Sequence, residues 1–309
     1  MLTVLEPGAL TTVQGAGRVG WGRYGIPPSG PMDAAAFVAA NRLVGNPAGT
    51  AALEITLTGP ALRAWRDCLI AVCGAEFELW AGNLAVPTWH AVYVRSGYTL
   101  RFGRRLNGAR AYLAVDGGID VPLYLGSRAT YLKGSFGGLE GRALQAGDRL
   151  PLGVGAPSQH ISGAGTRRPV PAWMATLGTA TVRVVLGPQE DHFSAETIDR
   201  FLGNRYEVTA AADRMGIRLQ GTRLDHVGAT EIVSDGIVTG SIQIPPDGRP
   251  IVMMVDHQTT GGYPKIATVI QADLPLLAQR LPGDEVRFAR VTLGEARAAY
   301  RQYFKSQKS

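Results

Sequence analysis

The sequence predicts a mainly β protein with a few short helices, arranged as two similar units. Its 40 Gly and 19 Pro follow no periodic pattern, which indicates many turns and favours β structure over a helical bundle. Short apolar runs recur between these turn residues, as strands do. Three segments of the first half also have counterparts in the second half, in the same order, which indicates a duplicated β unit.

The first half of the chain predicts one capped helix followed by short strands. Residues 1–31 carry Gly and Pro at short intervals and are expected to form turns and loops. Asp33 is the expected N-cap of a helix over 34–43 that ends near Gly45-Asn46. Turns at Gly59-Pro60, Gly74, Gly82-Asn83 and Ser96-Gly97 separate the predicted strands, which cover 51–57, 69–72, 77–80, 91–94, 99–102 and 111–115.

A stretch poor in apolar residues, 153–172, is the predicted linker between two domains. We therefore expect a first domain over 1–165 and a second over 175–309. The second half repeats a capped helix, a strand and a turn-strand segment of the first: 193–204 repeats 32–46, 217–221 repeats 55–59, and 282–288 repeats 95–102.

Two further helices are expected near the end of the chain. Asp273 is the predicted N-cap of a helix over 274–280. Thr292 and Glu295 have the spacing of a capping box, which predicts a helix over 293–305. Its residues Ala296, Tyr300 and Phe304 share one face, so this face is expected to pack against a barrel.

Composition excludes several classes of partner. The formal net charge is +6, but the basic residues are scattered, and pairs such as Arg104-Arg105 are too short for a nucleic-acid-binding stripe. Cys68 and Cys73 are too few for a zinc site and are expected to be buried free thiols. The sequence has no secretory signal pattern and no long apolar span, so we expect a cytoplasmic protein without membrane attachment.

The stretch 250–272 concentrates the chemically versatile side chains. Two apolar runs, 251–255 and 266–270, predict strands on either side of a polar loop. Loops held by a rigid scaffold are the usual place for binding and catalytic groups. Gly261-Gly262 is expected to adopt positive φ and to let a ligand approach closely. The acid, base, amide, hydroxyl and amine groups of this stretch belong to Asp256, His257, Gln258, Thr259, Thr260, Tyr263 and Lys265.

Lysine usage singles out Lys265. The chain has 31 Lys and Arg residues together, and only Lys133, Lys265, Lys305 and Lys308 are lysines. A lysine is a compact charge whose pKa shifts on burial, a property that arginine lacks. We therefore predict a functional role for Lys265; the alternative is a solvated lysine at a strand edge.

Widespread catalytic and phosphate-binding motifs are absent from the sequence. No P-loop, Gly-x-Ser-x-Gly elbow or His-Glu-x-x-His motif occurs. Residues 15–20 match Gly-x-Gly-x-x-Gly, but no long buried strand precedes them and no helix pattern follows directly, so we expect no dinucleotide site. The five His are scattered and only His257 lies among other polar groups, so no metal site is predicted.

Other polar residues are weaker candidates for ligand binding. Ser29 and Asp33 lie at a predicted helix N-terminus, which can hold a carboxylate or phosphate, although a simple cap by Asp33 is the preferred interpretation. Arg128 in a Gly-rich loop, or Arg214 before a strand, can clamp a carboxylate. Gln243 is expected to project from a strand end.

Segments along nearly the whole chain resemble one family, the biotin-dependent carboxyltransferase or allophanate hydrolase subunit 2 family, which includes the KipA-like antagonist of KipI and the C component of bacterial 5-oxoprolinase. The similar segments are 25–33, 40–46, 113–119, 126–131, 214–219, 240–245 and 256–265. The resemblance implies two cyclophilin-like β-barrel domains, in agreement with the internal repeat.

The resemblance also implies an activity and partners. Such a chain works in a hetero-oligomer with a KipI-like B component and an A component, and the complex hydrolyses 5-oxo-L-proline to L-glutamate with ATP. The ATP site would lie on one of these partners or be shared with one. One alternative is a carboxyltransferase that receives biotin on another protein, since this chain lacks a biotinyl-lysine motif. The other is a KipI-binding regulatory protein without turnover.

Roles for the candidate residues follow from this resemblance. Lys265 would stabilise negative charge on the amide oxygen or on a phosphorylated intermediate. Asp256 or His257 would handle a proton. The remaining roles are hydrogen bonds to the amide, from Gln258, Thr259, Thr260 and Tyr263, and a carboxylate clamp, from Arg128 or Arg214.

Overall fold

The structure is a computed structural model that describes residues 1–155, 164–168, 170 and 180–308. These residues form two compact units. The first holds 1–18 and the described residues from 29 to 170, and the second holds 19–28 and 180–308. Most of the predicted linker, 153–172, lies outside the described residues. The domain limits 1–165 and 175–309 stay a prediction.

The first unit is a curled antiparallel sheet with one helix. Its strands are β1 (Leu2–Glu6), β2 (Leu10–Gln14), β3 (Ala52–Thr56), β4 (Ala61–Ala64), β5 (Cys68–Ala81), β6 (Leu84–Ala85), β7 (Ala91–Val94), β8 (Thr99–Val115) and β9 (Arg149–Leu150). The order is β2-β3-β8-β4-β1-β9, with β5 paired to β8 and with β6 and β7 paired to β5. The mainly β prediction is confirmed here.

In this unit, each of two predicted pairs of short strands is one long strand. The predictions 69–72 and 77–80 are both part of β5, and 99–102 and 111–115 are the two ends of β8. Gly74 was expected to be a turn, and this prediction is wrong. It has φ +94° next to a register shift of β5 against β8, and a Cβ there would lie 2.4 Å from the Arg110 carbonyl oxygen. A bulge bends a strand without ending its pairing, which explains the difference.

Helix α1 (Ala34–Leu43) covers one face of this sheet, and its prediction is confirmed. The Asp33 side chain accepts a hydrogen bond from the Ala36 N–H at 3.0 Å, so Asp33 is the N-cap. Phe37 of the helix contacts Tyr112 of β8 edge to face, with ring centroids 6.0 Å apart. Both side chains are buried, so aromatic packing fixes the helix on the sheet.

The second unit is a closed barrel. Its strands are β10 (Ala180–Leu186), β11 (Arg205–Val208), β12 (Gly216–Gly221), β14 (Ser241–Gln243), β15 (Ile251–Met253), β17 (Lys265–Val269) and β18 (Glu285–Arg290), in the order β10-β17-β14-β15-β12-β11-β18. The parallel pair β10–β18 closes the ring. A separate two-stranded ribbon consists of β13 (Asp235–Gly236) and β16 (Thr260–Gly261). Full closure leaves no free sheet edge.

Three helices accompany the barrel: α2 (Ala195–Gly203), α3 (Leu274–Ala278) and α4 (Leu293–Lys308). The capping box of α4 is confirmed, because the Glu295 N–H donates to Thr292 Oγ1 at 3.2 Å and the Thr292 N–H donates to Glu295 Oε2 at 2.7 Å. The helix contacts β10, but Tyr300 and Phe304 on the predicted face stay 41% and 36% exposed and contact each other with their rings tilted by 50°.

Asp273 occupies the predicted N-cap position of α3, but its side chain does not cap the helix. Asp273 makes no capping hydrogen bond and instead accepts from three groups of Arg183: the backbone N–H at 2.8 Å, Nε at 2.9 Å and Nη2 at 2.6 Å. The Asp273 side chain is 5% exposed. Charge-assisted hydrogen bonds from a guanidinium are stronger than those from neutral N–H groups, and this ion pair joins β10 to the start of α3.

Both cysteines are buried and not disulfide-bonded, as predicted. Within the described part of the chain, no helix has the length and apolar character needed to cross a bilayer.

We expect Asp273→Ala to lower the free energy of unfolding by about 2 kcal/mol, because it leaves the Arg183 guanidinium and N–H without their buried acceptor. Urea titration followed by circular dichroism measures this change. Glu196→Ala is the control, since the Glu196 carboxylate is 83% exposed and lies 3.9 Å from Arg200. Equal effects of the two substitutions would contradict a structural role for the Arg183–Asp273 pair.

Candidate functional site

A row of side chains crosses the outer face of the barrel in the second unit. Gln243 of β14 pairs with Ile251 of β15, and Ile251 pairs with Arg218 of β12. The neighbouring row, which includes Ile242 and Val252, is buried in the barrel. Because successive residues of a strand point to opposite faces, the Gln243–Ile251–Arg218 row faces away from the barrel interior, with Gln243 buried and Arg218 exposed.

A β-bulge extends this row to Lys265. Ile242 pairs with Ala267 of β17, and regular pairing would then place Ile266 opposite Gln243. The register shifts at this point, so that Lys265 stands opposite Gln243 instead. Bulges often re-aim a side chain at the edge of a binding site. With strands about 4.8 Å apart, the backbones of Lys265 and Arg218 are roughly 14 Å apart.

Lys265 is buried and ion-paired. Its side chain is 3% exposed, and Nζ donates to Asp235 Oδ2 at 2.8 Å, while the Asp235 side chain is 52% exposed. Gln189 also donates to Asp235 Oδ2, at 3.3 Å. The hydrogen bond from Lys265 holds the pKa of Asp235 below its usual value. The alternative interpretation, a solvated lysine at a strand edge, is wrong.

Asp256 and Arg214, for which separate roles were predicted, bind each other. Arg214 Nε donates to Asp256 Oδ2 at 2.8 Å and Nη2 donates to Asp256 Oδ1 at 3.2 Å. The two side chains are 6% and 4% exposed. The Asp256 N–H also donates to the Arg214 carbonyl at 2.9 Å. This two-point contact fixes the start of the polar loop against the turn before β12, which favours a structural role for both residues.

His257 has the features of a neutral base. It is 4% exposed, and Nδ1 lies 2.6 Å from the Gln258 carbonyl oxygen. A carbonyl oxygen only accepts, so Nδ1 carries the proton and Nε2 carries the lone pair. Burial lowers the pKa of His257 below 6.5, because a charged imidazolium loses its hydration there. The ring is therefore neutral at pH 7.

The double glycine is suited to its position by the absence of a side chain and not by positive φ. Neither Gly261 nor Gly262 adopts positive φ, so that expectation is wrong. A Cβ on Gly261 would lie 2.8 Å from Gln243 Nε2 and 2.7 Å from Ile237 Cδ1. Gly261 is therefore needed because the Gln243 amide approaches the backbone closely.

A groove of about 630 Å³ on the barrel contains part of the predicted site. This volume lies within the usual range for small-ligand sites. Gln243, Gln258 and Tyr263 line it. Gln258 Nε2 donates to Gln243 Oε1 at 3.4 Å, and Gln243 Nε2 donates to the Tyr263 carbonyl at 3.3 Å. The two side-chain amides are thus held in one orientation beside the groove.

Other predicted residues of this loop do not line the groove. Thr259 uses its carbonyl to accept from the Ile237 N–H at 3.0 Å, and Thr260 pairs with Gly236 in the ribbon. His257 and Lys265 are adjacent to groove residues in sequence or in register, but both are buried beside it.

Two of the predicted residues of the first unit, Arg128 and Asp33, have local partners, whereas the buried Ser29 hydroxyl makes no hydrogen bond to the described residues. Arg128 Nη2 donates to Asp120 Oδ1 at 3.1 Å, and its Nε donates to the Val121 carbonyl at 2.7 Å. Ser29 is buried with φ 53°, and Asp33 caps α1. These observations favour the interpretation of Asp33 as a cap.

Sequence reasoning missed two arginines of the groove, Arg218 and Arg249. Arg218 occupies the exposed position between Ile217 and Leu219, an alternation that any solvated strand arginine shows. Arg249 follows Asp247-Gly248 in a turn. No signal in the sequence distinguishes either residue from an ordinary surface arginine.

Comparison with known proteins identifies a matching family and similar proteins from two bacteria. The carboxyltransferase domain family, subdomain A and B, matches residues 24–290. The C component of 5-oxoprolinase from Escherichia coli is 40% identical over 296 residues, which cover 96% of this chain and 93% of that protein. The protein of the same name from Haemophilus influenzae is 37% identical over 298 residues, with the same coverage of 96% and 93%.

A solved structure shares the fold. The crystal structure of the Kluyveromyces lactis urea amidolyase aligns with 99% of this chain at a TM-score of 0.89 and 34% identity. The chain corresponds to 20% of the length of that chain. The family match over residues 24–290 and the 40% identity over nearly the whole length lead to one conclusion: the chain belongs to the carboxyltransferase domain family, subdomain A and B.

Proposed function

We propose that this protein is the C component of a 5-oxoprolinase, which hydrolyses 5-oxo-L-proline to L-glutamate with ATP. The observation that carries the proposal is 40% identity to the Escherichia coli protein of that name, over 96% of this chain and 93% of that protein. The oriented pair of side-chain amides in the groove supports it, because a cyclic amide needs both a donor and an acceptor.

The proposal includes partners and a location. A protein named as one component of an enzyme implies further components, and we propose a KipI-like B component and an A component, with activity only in the hetero-oligomer. We place the complex in the cytoplasm.

ATP is assigned to a partner protein of the complex. Among the described residues that line the groove, none forms a glycine-rich turn leading into a helix N-terminus, the arrangement that cradles a triphosphate. The groove therefore lacks the phosphate cradle of a P-loop protein, and the roles proposed for Lys265 and His257 do not depend on a nucleotide in it.

Hydrolysis of the cyclic amide, coupled in this proposal to ATP consumed on a partner protein, adds water to the carbonyl carbon and breaks the C–N bond. The carbonyl oxygen gains negative charge, which the Lys265 ammonium stabilises from the strand next to Gln243. His257 Nε2 takes a proton from water and returns it to the departing nitrogen. Asp256 keeps its contact with Arg214, so His257 is the better candidate for the proton.

A second candidate function is carboxyl transfer from biotin on another protein to urea. It is favoured by one observation, the urea amidolyase of Saccharomyces cerevisiae, which is 34% identical over 311 residues and of which the chain covers 17%. Assaying both reactions with the same preparation separates the two candidates.

The proposed function is tested by glutamate release from 5-oxoproline and ATP, with the chain mixed with its A-like and B-like partners. We expect activity only with all three components. A complex that assembles stably but releases no glutamate would overturn the proposal, and urea-dependent consumption of carboxybiotin would support the second candidate.

Lys265→Met is expected to lower glutamate release by the complex about 100-fold or more, because the substitution removes the charge that stabilises the developing oxyanion. Its melting temperature should change little, since the Asp235 left behind is half exposed. The matched control is Lys133→Met, an exposed lysine of the first unit. Unchanged activity of Lys265→Met would exclude a catalytic role for this residue.

The acid limb of the pH–activity profile is expected below pH 6.5, because burial lowers the pKa of His257 below that value and the neutral imidazole is the active form. As pH falls, His257 takes up a proton in the unfolded chain at about pH 6.5, above its pKa in the folded protein. The free energy of unfolding that comes from keeping His257 neutral is therefore complete above about pH 6.5 and is lost as pH falls towards the folded pKa. Activity and the free energy of unfolding, each measured against pH for the wild type, His257→Gln and the control His90→Gln, check the two expectations. An identical acid limb in His257→Gln would contradict the assignment.

A further inference from the structure

Two arginines of the groove keep their guanidinium groups uncommitted. Arg218 and Arg249 are exposed and line the groove together with Gln243 and Gln258. Within the described part of the chain, neither guanidinium makes an ion pair or a hydrogen bond. Four other arginines of the same unit, Arg183, Arg205, Arg214 and Arg223, are ion-paired with carboxylates.

Asp213 and Asp247, which also line the groove, accept hydrogen bonds from backbone N–H groups. Asp213 Oδ1 accepts from the N–H groups of Met215 and Gly216 at 2.8 and 3.0 Å. Asp247 Oδ1 accepts from the backbone N–H of Arg249 at 3.0 Å. These contacts shape the turns on either side of the groove and leave the two guanidinium groups available to a ligand.

Strand pairing gives the position of the two arginines relative to the side-chain amides of Gln243 and Gln258. Arg218 is separated from Gln243 by one strand, because both pair with Ile251. Arg249 precedes Ile251 by two residues, on the continuation of β15, where the Leu219 N–H donates to the Pro250 carbonyl. The groove therefore offers amide groups on one side and two guanidinium groups on the other.

Guanidinium groups recognise carboxylates through two parallel hydrogen bonds. Apolar walls from Pro245, Pro250 and Met253 strengthen such a contact by lowering the local dielectric. We infer that Arg218 and Arg249 form the carboxylate subsite of the groove, which thus takes a small cyclic amide bearing a carboxylate. This inference rests on the proposed function and names the residues that select its substrate. A neutral ligand such as urea needs neither arginine.

Binding to the full chain tests the inference without turnover. NMR titration compares 5-oxoproline with 2-pyrrolidinone, the same ring without the carboxylate. We expect the wild type to bind the acid more tightly, and Arg218→Gln or Arg249→Gln to weaken acid binding roughly 10- to 100-fold while leaving 2-pyrrolidinone unchanged. Arg287→Gln is the matched control, since Arg287 is an exposed barrel arginine outside the groove.

Kinetics of the complete complex provide the second readout. The two groove variants should raise KM for 5-oxoproline and leave KM for ATP unchanged. A rise in KM for ATP alone would assign the arginines to phosphate and overturn the carboxylate subsite. Equal binding of the acid and 2-pyrrolidinone by the wild type, or no change in the variants, would overturn it as well.

The two failures are distinguishable. A wild-type complex that releases no glutamate, with a chain that still prefers the acid through Arg218 and Arg249, means that the proposed function fails and the carboxylate subsite stands. An active complex with unchanged KM in both variants means that the proposed function stands and the carboxylate subsite fails. Arg218→Lys, which keeps the charge but loses the two-point geometry, should restore acid binding only in part.

Discussion

The register shift between β14 and β17 is the constraint on which the candidate site depends. Regular pairing would place the apolar Ile266 opposite Gln243, and the bulge places Lys265 there. One extra residue in a strand changes which side chain meets a given neighbour, because side chains alternate between faces. Backbone pairing thus sets the point from which the Lys265 side chain extends, and the ion pair with Asp235 holds its amine.

Ion pairs hold the segments that surround these paired strands in place. Arg214 and Asp256 are buried together and attach the start of the polar loop to the turn before β12. Arg183 and Asp273 attach β10 to α3, although only the Asp273 carboxylate is buried and the Arg183 side chain is 43% exposed. Truncating one member of such a pair leaves an uncompensated buried charge, so these pairs specify geometry more than they add net stability. Lys265 differs, because its partner Asp235 is half exposed and keeps its contact with solvent.

Sequence reasoning located the loop better than it assigned the side chains. The concentration of polar groups over 256–265 correctly marked a loop between two buried strands, and Gln243, Gln258 and Tyr263 do meet at one groove. The pairing of Asp256 with Arg214 was not predictable, because 42 residues separate them and each alone has the features of a binding residue. Gly74 illustrates the same limit in the fold: a turn and a bulge both place glycine at positive φ, and only the strand partner distinguishes them.

The sequence by itself determined the β character, the capped helices at Asp33 and Thr292, the two-unit organisation and the family, because turn chemistry, capping and motif spacing are local properties of the chain. Only the tertiary structure decided that Lys265 is buried, that Asp256 pairs with Arg214, and that Arg218 and Arg249 share a groove with the side-chain amides of Gln243 and Gln258. These features depend on contacts between residues distant in sequence, and such contacts are set by strand register and packing, which no single segment encodes.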